Sequence, residues 1–173
     1  SGTINCIWNG FTMTGREDDY EWSDPYMKNE QIFVVRGDSD YTSAADLAGK
    51  VIDVQMDSSA QHALDENQEL ASTFSEIRPV ADYLTCLMEL ESGAVEAVAM
   101  DEVFASYYIT QNDKDFKILD DVIAEEQYAV GFKKGNTELR DQVNDTLKEM
   151  AADGTMAEIS EKWFGDDLTT IEA

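Results

Sequence analysis

The chain holds 173 residues, 37 of them Asp or Glu against 12 Lys or Arg, for a formal net charge of −25 with 43% hydrophobic residues. That length suits one α/β body or two small lobes with a real core, and 17 aromatic residues set it apart from a disordered acidic tail. The acid therefore coats a folded surface, which excludes nucleic acid and anionic membrane as partners, since both are bound through cationic contacts.

The opening segment, residues 3–8, alternates like a strand and reaches Asn9-Gly10, followed by a polar stretch with Gly15, Arg16 and a run of acids. Residues 22–26, Trp-Ser-Asp-Pro-Tyr, are rich in turn formers, and residues 31–36 read as a buried strand stopped by Gly37 and Asp38. From Ser43 onward strands alternate with helices, the signature of βαβ units on a largely parallel sheet. A short helix at 43–49 precedes a strand at 51–55, and Asp57-Ser58-Ser59 supplies helix-capping types before a helix through Ala63 and Leu64. A strand at 75–79, a helix at 82–91 with Leu84, Leu87 and Met88 on one face, a buried-type strand at 95–100 and a helix at 101–111 come next. Two further β runs are expected at 116–119 and 127–133. The chain closes with two amphipathic helices: Leu139, Val143, Leu147 and Met150 recur at helical spacing, and beyond Gly154 so do Met156, Ile159, Trp163 and Phe164, expected in the core.

A βαβ region bracketed by two crossing β runs is the wiring of a lobe inserted into another, with hinge strands that allow closure around a ligand. The expected division is residues 1–30 and 134–173 in one partial lobe, 31–41 and 126–133 as hinge strands, and 42–125 as the second lobe. No apolar run nears the roughly 18 residues that cross a bilayer, and residues 1–10 carry neither a basic n-region nor a long h-region. Any export signal or anchor is therefore expected outside this chain.

Chemistry-bearing residues collect at three strand ends: 10–16, 57–60 and 100–102. Arg16, Thr12, Ser58 and Ser59, with backbone N–H groups at Gly10 and at a helix start, offer what an α-carboxylate needs: a planar guanidinium, hydroxyls and a partial positive charge. Asp101, at the carboxyl end of a buried-type strand, offers an anion for an α-ammonium. Together they fit one small zwitterion. Plainer roles stand beside these: Asp57, Ser58, Ser59 and Asp101 as helix caps, and Arg16 as a solvated ion-pair partner of Glu17, Asp18 and Asp19. The lone His62 excludes His-based triads and multi-His metal sites. Cys6 and Cys86, outside any CxxC spacing, read as small apolar groups. Nothing implies a catalytic residue, a metal or a cofactor.

The order of these pieces resembles the extracytoplasmic solute-binding proteins of polar amino-acid ABC transporters, the family 3 solute-binding proteins. Asn9-Gly10-Phe11-Thr12-Met13-Thr14-Gly15-Arg16, the block Trp22-Ser23-Asp24-Pro25-Tyr26, the element Asp46-Leu47-Ala48-Gly49-Lys50-Val51-Ile52-Asp53-Val54 and the terminal Trp163-Phe164-Gly165 carry the likeness, which spans residues 2–167. Two departures stand out: the 12–16 segment is one residue short of the commonest spacing, and Asp57 stands where Gly is usual. The resemblance implies an α/β fold of the type II periplasmic-binding-protein kind, two lobes joined by two hinge strands, with lobe 1 incomplete. It implies Arg16, Thr12 and Gly10 on the ligand carboxylate, Ser58 and Ser59 completing that site, and Asp101 on the ammonium. It further implies a free amino acid and an ABC permease as partners, an export signal in the precursor, and a location in the periplasm or as a cell-surface lipoprotein of a Gram-positive bacterium. Relative to the family, some 60 residues that build most of lobe 1 are absent before Ser1, so the expectation is a truncated chain or one completed by a second copy through strand exchange. A same-fold lyase of the cyclohexadienyl dehydratase type, or a sensor's ligand-binding domain, is the alternative.

Overall fold

The computed structural model describes residues 3–172. It divides into two compact units, one formed by residues up to Asn29 and from Glu126 onward, the other by Glu30–Glu125. In chain order the strands and helices begin with β1 (Cys6–Ile7), β2 (Glu21–Trp22), β3 (Met27–Arg36), β4 (Val51–Gln55), α1 (Ser59–Glu66) and α2 (Gln68–Ala71). They continue with β5 (Glu76–Val80), α3 (Tyr83–Ser92), β6 (Ala97–Asp101), α4 (Glu102–Asn112), β7 (Phe116–Tyr128), β8 (Gly131–Phe132), α5 (Thr137–Ala152) and α6 (Thr155–Phe164). A single 3-10 turn at Ala44–Leu47 stands where a short helix is predicted. The chain passes from one unit to the other within β3 and within β7.

The unit of residues 30–125 is a five-stranded sheet in the order β5-β4-β6-β3-β7. β4 runs parallel to β5 and β6, while β3 is antiparallel to β6. Strand alternation splits the apolar side chains between two faces. Phe33, Val35, Ile52, Val54, Ala97 and Ala99 meet Ala60 and Leu64 of α1 on one face, and Ile32, Val34, Val98 and Met100 meet Cys86, Leu87 and Leu90 of α3 on the other. Buried on both faces, β6 is the near-continuous apolar run that a central strand requires.

The stripe by which α3 meets the sheet is Tyr83, Cys86, Leu87 and Leu90, at i, i+3, i+4 and i+7. Leu84 and Met88, predicted to share that face with Leu87, lie instead on the outer side at 51% and 66% exposure. The two β runs predicted at 116–119 and 127–133 also change. β7 is one 13-residue strand ending at Tyr128, and only Gly131–Phe132 resumes pairing beyond it. Asp120, Asp121 and Glu125 disguise its middle, since acids are poor strand formers; β7 is an edge strand, these three residues are exposed on it, and Asp121 accepts a hydrogen bond from Ala44 N at 2.9 Å.

One buried charge cluster fastens α3 to the sheet. Asp53, wholly buried in β4, faces Arg78 across the parallel β4–β5 pair, with Arg78 Nε 3.0 Å from Asp53 Oδ1. Arg78 Nη2 also donates to Glu89 of α3. Neither oxygen of Asp53 receives a well-aligned hydrogen bond among the described residues. Burial raises the Asp53 carboxyl above its ordinary range, Arg78 pulls it back, and Glu76 adds to the rise.

In the other unit β8 pairs antiparallel with both β1 and β2. Phe11, Tyr20 and Trp22 cluster there with ring centroids 4.9–5.2 Å apart. A Cβ at Gly131 would meet the Phe11 ring at 2.9 Å, so the glycine is what lets the ring lie on the strand. Gly154, at φ +86, separates α5 from α6. The predicted core role is corrected for two of the α6 apolar residues: Ile159 and Trp163, one turn apart, are 44% and 42% exposed, while Met156 and Phe164 are half-buried and the fully buried position on α6 is Ser160. The Ser160 hydroxyl donates to Asp166 O and accepts from Leu168 N, closing the turn after the helix.

Candidate ligand-binding site

Three of the sequence-predicted residues come together in the unit of β1, β2 and β8. The 11–14 segment is tied to the end of β7: Met13 N donates to Gln127 O, Ala129 N to Phe11 O, and Gln127 N to Thr14 Oγ1. Gly10 precedes it at φ +70, and a Cβ there would meet the Tyr128 ring at 3.1 Å, so both conformation and space call for glycine. Thr12 is buried, and its hydroxyl donates to Glu126 Oε1 at 3.1 Å; the same oxygen accepts from Asn29 Nδ2 at 2.6 Å.

Arg16 closes a turn, its N–H donating to Met13 O, and Trp22 Nε1 donates to its carbonyl. Its Nη1 donates to Thr12 O at 3.2 Å and its guanidinium lies 5.4 Å from the centroid of Phe11. Among the described residues no carboxylate comes within 4.0 Å of it, so the ion-pair role with Glu17, Asp18 and Asp19 is not formed; Glu17 instead accepts from Gly15 N. A half-buried guanidinium held by a carbonyl and a ring, with no acid beside it among the described residues, is placed to pair with an incoming anion.

The other three predicted residues come together in the unit of residues 30–125. Because β4, β5 and β6 are parallel, the starts of α1, α3 and α4 all follow carboxyl ends of neighbouring strands, the edge at which open α/β sheets bind ligands. Ser58 caps α1, its Oγ accepting from Gln61 N at 3.2 Å, and Ser59 is the first helical residue. The first turn carries no acid, so the positive end of α1 is left for an anion. Asp101 precedes α4, yet its side chain makes no capping bond. Its Oδ1 accepts from Gln31 Nε2 at 2.6 Å and its Oδ2 from Tyr83 Oη at 2.9 Å.

Asp57 occupies φ +60, a left-handed conformation that penalises any Cβ and that glycine adopts without strain. Asp57→Gly is expected to change stability by less than about 1 kcal/mol, relief of left-handed strain offsetting the entropy of glycine, and to tighten anion binding at α1 by removing a negative charge. Thermal unfolding together with ligand titration of the variant checks both halves.

Gln31, Tyr83, Asn29 and Glu126 belong to these clusters and are not singled out by motif. The signal for Gln31 is in the sequence nonetheless, as an amide on the same strand face as Phe33 and Val35. Tyr83 follows a strand end just as Ser59 does, but an aromatic at a helix start also reads as core.

The chain matches the bacterial extracellular solute-binding proteins, family 3, over residues 1–166. It is 32% identical over 172 residues to the L-cystine-binding protein TcyA of Bacillus subtilis (strain 168), covering 98% of this chain and 62% of that protein. The L-cystine-binding protein TcyJ of Escherichia coli (strain K12) is 28% identical over 172 residues, with 98% of this chain and 63% of that protein covered. The chain thus spans somewhat under two thirds of the curated relatives' length. Among solved structures, an ABC uptake transporter substrate-binding protein from Streptococcus pneumoniae with bound histidine superposes with a TM-score of 0.87 at 32% identity, covering 98% of this chain and 72% of that one. Two sheets with helices, divided as described, are thus the fold of amino-acid-binding proteins of ABC transporters. On this match the chain belongs to family 3 of the bacterial extracellular solute-binding proteins.

Proposed function

We propose that the protein binds a free amino acid outside the cytoplasmic membrane and delivers it to an ABC permease, without catalysing a reaction. Arg16, Thr12 and the Gly10 backbone take the ligand carboxylate, with Ser58, Ser59 and the start of α1 adding hydroxyl and amide donors; Asp101 takes the ammonium. β3 and β7, through which the chain passes between units, serve as the hinge. The observation that carries this reading is Arg16, a cation fixed by Thr12 O and the Phe11 ring with no carboxylate of the described residues beside it. The relatives support it, being named for binding cystine, and the histidine complex of the solved neighbour shows the same fold holding an amino acid.

Calorimetric titration of the full-length protein with the twenty amino acids and L-cystine tests it. At least one is expected to bind at micromolar concentration or tighter, about 8 kcal/mol of binding free energy. Absence of binding by all of them would end this reading.

A further inference from the structure

The carboxylate of Asp101 is gripped from both sides of its sheet by neutral donors. On one side, β3 pairs with β6 in a register that sets Gln31 opposite Asp101. Gln31, Phe33 and Val35 share a face with Ala97, Ala99 and Asp101, so an apolar cluster ends in a polar pair. Gln31 is wholly buried, its amide is shut off from water, and its Nε2 stands 2.6 Å from Oδ1. On the other side Tyr83, at the start of α3, packs against the second apolar cluster with its ring 5.3 Å from that of Phe104. Its hydroxyl reaches Oδ2 at 2.9 Å. Burial first, and then the charge of Asp101, push the Tyr83 phenol far above its ordinary range, so it donates at every physiological pH. The Ser58 side chain also adjoins the phenol oxygen, placing Tyr83 next to the α1 start as well.

Each oxygen of the carboxylate takes one of these donors, and because both donors are neutral the negative charge stays available to attract an ammonium. Charge-assisted hydrogen bonds of this kind fix orientation as well as energy. Resting on the amino-acid-binding reading above, we infer that Tyr83 and Gln31 are positioning residues for ammonium recognition: they lock the Asp101 carboxylate in one orientation before the ligand arrives. Preorganisation of this sort raises affinity by removing an ordering cost at binding. Asp101 left to rotate would still attract the ammonium, but with poorer geometry.

Tyr83→Phe keeps the ring packing and removes only the donor; Gln31→Met keeps volume and removes the amide. Both are to be made in the full-length protein and titrated with the tightest binder among the twenty amino acids and L-cystine, and with the deamino counterpart of that ligand. A hydrogen bond to a charged group predicts about a tenfold loss of affinity for the amino acid in either variant, and less than about a twofold change for the deamino compound. Equal losses for both ligands would assign Tyr83 and Gln31 a general scaffold role and overturn the inference. Unchanged amino-acid affinity in Tyr83→Phe would overturn it too. Asp101→Asn separates the two levels: if that variant loses affinity while Tyr83→Phe does not, only the positioning role falls, whereas unchanged affinity in Asp101→Asn removes the ammonium assignment along with it.

Discussion

Replacing Arg16 by alanine is expected to weaken amino-acid binding by about 2–5 kcal/mol, some thirtyfold to several thousandfold, because it removes one partner of a hydrogen-bonded charge pair. Fold stability is expected to stay within about 1 kcal/mol. The guanidinium contributes one hydrogen bond to Thr12 O and a stacking contact with Phe11, while the turn is held by backbone bonds that alanine retains. Arg16→Lys keeps the charge but loses the planar fork, so its affinity should fall between wild type and alanine. Calorimetry on full-length variants, with thermal unfolding alongside, reads both quantities. An alanine variant that binds its amino acid as tightly as wild type would show that the carboxylate is held elsewhere.

The largest stability effect is expected at Arg78. Its removal strands the Asp53 carboxylate, wholly buried, beside Glu76 and Glu89 with its cation gone. Unpairing a fully buried charge costs about 3–5 kcal/mol; because Arg78 itself is 32% exposed, a smaller loss of about 2–3 kcal/mol, at or just below the foot of that range, is expected for Arg78→Ala. Asp53→Asn should cost much less, since Arg78 keeps Glu89 and the buried charge disappears. The double variant should regain most of what Arg78→Ala loses, as neighbouring sites couple.

The pH dependence follows from the direction of the Asp53 shift. A carboxyl raised by burial binds its proton more tightly folded than unfolded, so it opposes folding increasingly as pH climbs from the ordinary carboxylate value through the folded one, and not at all below both. Without Arg78 the rise is greater, so the deficit of Arg78→Ala should shrink on acidification and be largest near neutrality. Denaturant unfolding of both variants at pH 5 and pH 8 measures this; an Arg78→Ala deficit independent of pH would mean that the loss is packing of the Arg78 stem and not charge.

Much of the candidate site is legible residue by residue, because its chemistry is local. Gly10 to Arg16 carry a turn, a hydroxyl and a cation in one short stretch, and Ser58 and Ser59 sit where helix-start rules place them. Asp101 was legible as a strand-end anion but not as distinct from a helix cap, since both readings predict the same residue at the same place. What separates them is a pair of donors distant in sequence, Gln31 and Tyr83, 70 and 18 positions away. Misreadings had the same root. Apolar spacing alone does not fix the buried faces of α3 and α6, because burial is decided by which stripe meets a neighbour; Leu84, Met88, Ile159 and Trp163 lie off that stripe.

By itself the sequence determined the alternation of strands and helices from Ser43 onward, the parallel core, the families of residue suited to a zwitterion and the acidic coat, all properties of period, composition and short spacing. Tertiary structure alone decided that Arg16 answers to Thr12 O and Phe11 and not to its acidic neighbours, that Thr12 donates to Glu126, and that Asp53 is clasped by Arg78. The last two outcomes depend on strand register, which brings together groups tens of residues apart, and the first on the turn that the tie of residues 11–14 to the end of β7 imposes; no local rule of propensity or capping contains that information.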